Sequence, residues 1–276
     1  IRKQSASRNL RRPLKKQPRK KSDQTPLTRK PQRVSEQVNP STMRLSKSKV
    51  GAWDWCNYSW GLQNILNIQG SMHSATTTGI DAHQMVEDYY NGMLKMETDE
   101  DIMEYAINYE YETLPNNNED AVVHLQTVIE LDIARMTSLQ EQGYSLVEYG
   151  KPIGIENYMR LDDDGTTQHS EFSGMLDLVF RETDGGIGVY DLKTGRFKGI
   201  ENHRFELMIY KWLWEECHPG DKVTAVGIIW SGVGKVEIEE PTTRSYNAAI
   251  RKVQRTRDRI AEAHKSSTAE NPLAGF

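Results

Sequence analysis

The sequence predicts an α/β protein with a mixed β-sheet, and three observations lead there. Up to Gly143 the apolar residues recur mainly at helical spacing. From 145 to 193 the period becomes strand-like, with turn signals between the runs. An amphipathic stretch at about 201–217 then leads into the strongly apolar run Val223, Ala225, Val226, Ile228 and Ile229. Helices, antiparallel strands, a helix and a buried strand make an α/β plan.

The elements follow in order. Residues 1–44 predict a disordered basic arm, with Arg11-Arg12, Lys15-Lys16 and Arg19-Lys20-Lys21 set among Pro, Gln and Ser and almost no aliphatic residues to bury. Leu45-Ser46-Lys47-Ser48 can cap a helix over about 48–67. Further helices are expected at 77–94, 100–113 and 118–142, the last stopped by Gly143. Strands are expected at 145–149, 153–160, 171–181 and 187–193. Asp162-Asp163-Asp164-Gly165 and Asp184-Gly185-Gly186 read as hairpin connections. His218-Pro219-Gly220 ends the helix at 201–217, strands follow at 222–230 and 234–239, and Pro241 opens a final helix to about 264. The tail 265–276 is polar and reads as loose.

The chain's 276 residues suffice for one sizeable domain or two small ones. No apolar run reaches eighteen residues, so no helical membrane span is expected. Two cysteines, Cys56 and Cys217, exclude a disulfide scaffold and any four-cysteine zinc or iron–sulfur site held by this chain alone, and they fit an intracellular, cytoplasmic setting. The net charge of −4 conceals an asymmetry. Residues 1–50 carry sixteen Lys and Arg against Asp23 and Glu36, whereas the remainder has nineteen basic and thirty-seven acidic residues. A basic arm on an acidic body suits proteins that handle nucleic acid; a solvated tail or a targeting segment are the other readings.

Asp177 lies inside the apolar run Met175 to Phe180, and Asp191 ends the run Ile187 to Tyr190. Carboxylates enter such strands when paired or when holding a metal. Asp191 and Lys193, two apart, leave one face of a strand, and the turn at 184–186 can bring Asp177 alongside. Two converging carboxylates suit a hard cation, Mg²⁺ or Mn²⁺. A lysine beside it can hold an attacking water and stabilise charge building on a phosphorus, which is what phosphodiester hydrolysis requires. Taken alone, Asp-x-Lys reads better as a hairpin salt bridge from Asp191 to Lys193 or Arg181.

The pattern extends further. Gly174-Met175-Leu176-Asp177, thirteen intervening residues and Asp191-Leu192-Lys193-Thr194-Gly195 resemble the PD-(D/E)XK nuclease superfamily in its RecB-like and Cas4-like branch. Leu45-Ser46-Lys47-Ser48 is similar to that branch's opening helix, Gly79-Ile80-Asp81-Ala82-His83 with Glu87 to its histidine helix, and Glu206 to Tyr210 to its Gln-x-x-x-Tyr helix. The resemblance implies a restriction-endonuclease-like core over 45–264, with a helical insertion at about 98–143. It implies that His83, Asp177 and Asp191 bind the metal, with the Leu192 carbonyl as a further ligand. Lys193 would activate water, and Tyr210, Glu206 and Thr194 would line the site or touch the DNA backbone. Glu206 departs from the usual Gln, and the later cysteines of the iron–sulfur members are missing. The implied enzyme is a Mg²⁺- or Mn²⁺-dependent deoxyribonuclease, first an exonuclease at single- or double-stranded DNA ends in recombination, repair or replication. With no helicase motif it would stand alone, and analogy suggests a phage or mobile-element origin. An endonuclease of the same superfamily and a non-catalytic DNA-binding protein are the rivals.

Other residues read two ways. Glu148 could add a carboxylate or be an exposed charge, and Tyr210 could be site or core. Trp53, Trp55 and Trp60 could stack on bases or pack. His73, His124, His169, His203 and His218 read as structural, and Arg251, Lys252, Arg255, Arg257 and Arg259 as a charged helix face that could meet DNA.

Overall fold

A two-residue strand, β1 (Leu45–Ser46), opens the fold, and the Ser46 side chain caps helix α1 (Lys47–Trp55) by accepting from the Lys49 N–H. The computed structural model describes residues 43–68, 70, 74–111, 116, 118–161 and 172–276. Most of the basic arm and the 162–165 turn lie outside them. The single helix expected over 48–67 is two, α1 and α2 (Asn57–Asn64), because Cys56 is extended and its Sγ caps the second through the Ser59 N–H. The break lets Trp53 and Trp60 meet edge to face at 5.3 Å; both are buried, whereas Trp55 is exposed.

Helices α3 (Ser74–Met93), α4 (Asp99–Asn108) and α5 (Glu119–Glu141) follow, and Gly143 takes φ +85 after α5. The strand expected at 145–149 is instead the short helix α6 (Leu146–Tyr149). Ser145 caps it, and Asp99 accepts from both the Ser145 hydroxyl and the Val147 N–H; over four residues, local capping outweighs β-propensity. Behind it, Arg135 ties α5 to α6 through the Tyr149 and Gly150 carbonyls, while its guanidinium pairs with buried Asp132, which also accepts from Tyr89 of α3.

Among the described residues, six strands make one mixed sheet: β1, β2 (Pro152–Leu161), β3 (Phe172–Arg181), β4 (Ile187–Lys193), β5 (Val223–Trp230) and β6 (Lys235–Glu239). Phe172 and Ser173 pair with β1 and with β2 at once, so these flank β3 on opposite sides, and β1 shares its side with β4. The β3–β4 and β5–β6 pairs are antiparallel; β4 and β5 run parallel, joined through a 3₁₀ turn (Ile200–Asn202) and helix α7 (Arg204–Cys217). Helix α8 (Thr243–Lys265) starts with a capping box at Thr242 and Ser245.

The sheet separates two cores. Val189, Ile228, Leu207, Trp212 and Val253 pack on the side of α7 and α8, and Leu178, Tyr190, Leu192, Met85 and Leu125 on the side of α3 and α5. The segment after α8 does not hang loose as expected. Leu273 is buried, and Phe276 stacks on Trp60 with ring centroids 5.8 Å apart. No helix among the described residues is long and apolar enough to cross a membrane.

Candidate active site

The site forms where the sheet forks. The β3–β4 ladder begins at Leu178↔Tyr190, and β1 takes that side of β3 at Phe172 and Ser173. Asp177 stands opposite Asp191 just beyond the last β3–β4 pair, and its Oδ2 accepts the Leu192 N–H at 2.7 Å in place of a ladder bond. On the other flank, Ile155↔Leu178 and Asn157↔Leu176 bracket Glu156 opposite Asp177. Glu156 has φ +41, left-handed for a residue with a Cβ and costing about 1–2 kcal/mol. The kink aims its side chain at α3, beside Asp177.

His83 reaches down from α3 to meet them. Its Nδ1 lies 2.8 Å from Glu156 Oε1 and 3.7 Å from Asp177 Oδ2, and its Nε2 lies 3.2 Å from the Leu192 carbonyl. One ligating atom from each of His83, Glu156 and Asp177 falls within 4.8 Å of the others. Gly79, one turn before His83, allows the close approach of α3 to the loop after β4, because a Cβ there would sit 3.3 Å from Thr194 Oγ1.

Charge in this pocket is poorly compensated. Burial, then the neighbouring Asp191, pushes the Asp177 carboxyl up to about 8. Burial alone would lower the His83 imidazole, but the hydrogen bond to Glu156 and the charges of Asp177, Glu156 and Asp191 raise it to about 9. Burial and like charge thus favour the protonated carboxyl and the charged imidazole when no cation compensates them. The donors that meet, one imidazole and two carboxylates, fit a hard divalent ion, and the Leu192 carbonyl lies at the other ring nitrogen.

A second cluster lies on the α7 side of β4. Lys193 Nζ is 2.5 Å from Asp191 Oδ2, an ion pair off the line of a hydrogen bond, and donates to Glu206 Oε1 at 3.1 Å. Tyr210 donates to Glu206 Oε1 at 3.2 Å, His203 Nδ1 is 3.2 Å from Oε2, and Lys47 forms an ion pair with Oε1. Burial would raise the Glu206 carboxyl, but the His203 hydrogen bond and the Lys193 and Lys47 charges hold it far below the carboxylate range. Burial works against the Lys193 charge, yet Asp191 and Glu206 keep its ammonium above the usual lysine value.

The model of the PD-(D/E)XK nuclease superfamily matches residues 44–273. This chain belongs to the PD-(D/E)XK nuclease superfamily. Its six-stranded mixed sheet flanked by helices is the restriction-endonuclease-like α/β fold, and superfamily membership implies a nucleic-acid substrate. No curated protein matches the sequence. Among solved structures, a candidate exonuclease from Eubacterium rectale is similar, with TM-score 0.42, 14% identity and 83% of each chain covered.

On this nuclease-superfamily scaffold the residues read from the sequence fall into two neighbouring sets. His83, Asp177 and the Leu192 carbonyl converge at the fork, while Asp191 turns its carboxylate to Lys193, beside Glu206 and Tyr210. Glu148 is exposed on α6, and Glu156 supplies the further carboxylate. Lys47 and His203 were also missed. The signal for Glu156 was a charge in strand 153–160; the signal for Lys47 was its place inside Leu45-Ser46-Lys47-Ser48.

Proposed function

We propose that this chain is a metal-dependent deoxyribonuclease that hydrolyses phosphodiester bonds with Mg²⁺ or Mn²⁺, acting as an exonuclease on DNA ends. The observation that carries the reading is the meeting of His83, Glu156, Asp177 and the Leu192 carbonyl at the sheet fork, with Lys193 one residue beyond. A bound cation would supply Lewis acidity at a phosphoryl oxygen and a more acidic water.

The chain's own groups do the rest. Asp191 and Glu206 hold the Lys193 ammonium charged and pointed. From there it orients the attacking water and stabilises negative charge as the phosphorus becomes pentavalent. Asp191, opposite Asp177 at the fork, would offer its carboxylate to the metal while staying beside Lys193. Tyr210, fixed by Glu206, and Thr194 line the substrate path, and the basic arm 1–44 follows the DNA backbone. The exonuclease preference follows from the RecB-like and Cas4-like pattern, and the catalytic unit is assigned to 45–264.

End-labelled linear DNA and closed circular DNA incubated with Mn²⁺ test this. The wild type is expected to degrade the linear form and spare the circle, and Lys193→Ala to lose at least about a hundredfold in rate. Cleavage of the circle makes the enzyme an endonuclease. Equal degradation by wild type and Lys193→Ala, or none by either, overturns the mechanism.

A further inference from the structure

The parallel pairing of β1 with the start of β3 carries Lys47, the first residue of α1, across to α7, where its ammonium shares Glu206 Oε1 with Lys193. Lys47 adds to a carboxylate that other groups also hold ionised. That carboxylate is already paired with Lys193 and bonded by Tyr210 and His203, and its side chain is 8% exposed. The Lys47 side chain is 31% exposed, and Glu206 is its ion-pair partner among the described residues. Ion pairing with an already paired carboxylate does not by itself explain a half-open lysine here.

Charge does. Four carboxylates, Glu156, Asp177, Asp191 and Glu206, face this end of the sheet, and a phosphate approaching them is repelled unless positive groups stand at the entrance. Lys47 is such a group. Its ammonium has three donors, and Lys47 is the first residue of α1, a helix end that favours an anion. Because Lys47 and Lys193 flank the same oxygen, a phosphate reached by Lys47 is the one at Lys193 or its neighbour along the strand.

We propose that Lys47 binds a backbone phosphate of the nucleic-acid substrate, with Glu206 as the positioning carboxylate that holds the ammonium at the mouth of the site until substrate arrives. The proposal rests on the nucleic-acid reading of the same site but not on its catalytic step, so its test does not require cleavage. Binding of a fluorescent DNA oligonucleotide is measured in Ca²⁺ across a KCl series for wild type, Lys47→Met and Lys47→Arg. A lost phosphate contact weakens binding roughly tenfold at 0.1 M salt and flattens the slope of log K against log salt by about one. Lys47→Met is expected to do both, and Lys47→Arg to restore the wild-type slope, which a merely structural role would not move. Lys47→Gln is the second charge-removing variant should Lys47→Met melt early. A wild-type slope in a folded Lys47→Met or Lys47→Gln overturns the proposal. A wild type that binds DNA in Ca²⁺ but leaves it intact in Mn²⁺ sinks the nuclease reading alone.

Discussion

A single left-handed residue decides the make-up of the candidate metal pocket. In a regular strand the Glu156 side chain would leave the face opposite to Ile155, away from α3; with φ +41 it joins Ile155 on the α3 side and meets His83. The strain is retained where a carboxylate is delivered to an acidic pocket, which is where stored strain has a use. Glu156→Gln keeps the shape and removes the charge. It is expected to weaken Mn²⁺ binding at least about tenfold, as loss of a ligand or its close support does, and to depress cleavage with it. Glu148→Gln, on exposed α6, is expected to change neither. Calorimetric titration of Mn²⁺ into the two variants checks this; equal affinities would remove Glu156 from the ligand set.

At the scale of elements, the sheet fork and the tail teach different lessons. Asp177, Asp191 and Lys193 stood out as charges in apolar strands with their register set by the short Asp184-Gly185-Gly186 turn, but only the wider family pattern raised them above a hairpin salt bridge. Glu156 was not, since its partnership depends on the register across the 162–171 connection and on one backbone angle that no residue type signals. Lys47 was hidden for a related reason: β1 is two residues long and pairs with a strand more than a hundred positions away. Polarity misled at the C-terminus. Two large apolar residues among eleven, Leu273 and Phe276, suffice to fasten the tail over α2, where Gly61 leaves the room: a Cβ there would come within 2.7 Å of Leu273 Cδ2. A chain ending at Lys265 should therefore lose about 3 kcal/mol, the burial of two large side chains. Urea unfolding of the truncated and full chains measures it, and coincident midpoints would show that the contact does not contribute.

For the whole molecule, the two raised pKa values make folding and cation binding one equilibrium. The Asp177 carboxyl, near 4 when unfolded, is held to about 8, so the folded chain keeps a proton that the unfolded chain has released. Its contribution to stability falls as pH rises from about 4 to about 8. The His83 imidazole, 6.5 when unfolded and about 9 when folded, stabilises fully below 6.5 and loses that contribution as pH rises through 9. Both slopes have the same sign, so these two groups together lower the stability of the metal-free protein as pH rises from about 4 to 9. A divalent cation binds the deprotonated forms and competes with those protons, so its stabilising effect must grow over the same interval. Melting temperatures at pH 5, 7 and 9, each in EDTA and in Mg²⁺, isolate the site by difference. The shift on adding Mg²⁺ is expected to be smallest at pH 5 and largest at pH 9, and in Glu156→Gln to be reduced at every pH. A Mg²⁺ shift that is the same at all three would mean that the cation binds away from Asp177 and His83, and the fork would lose its assignment as the metal pocket.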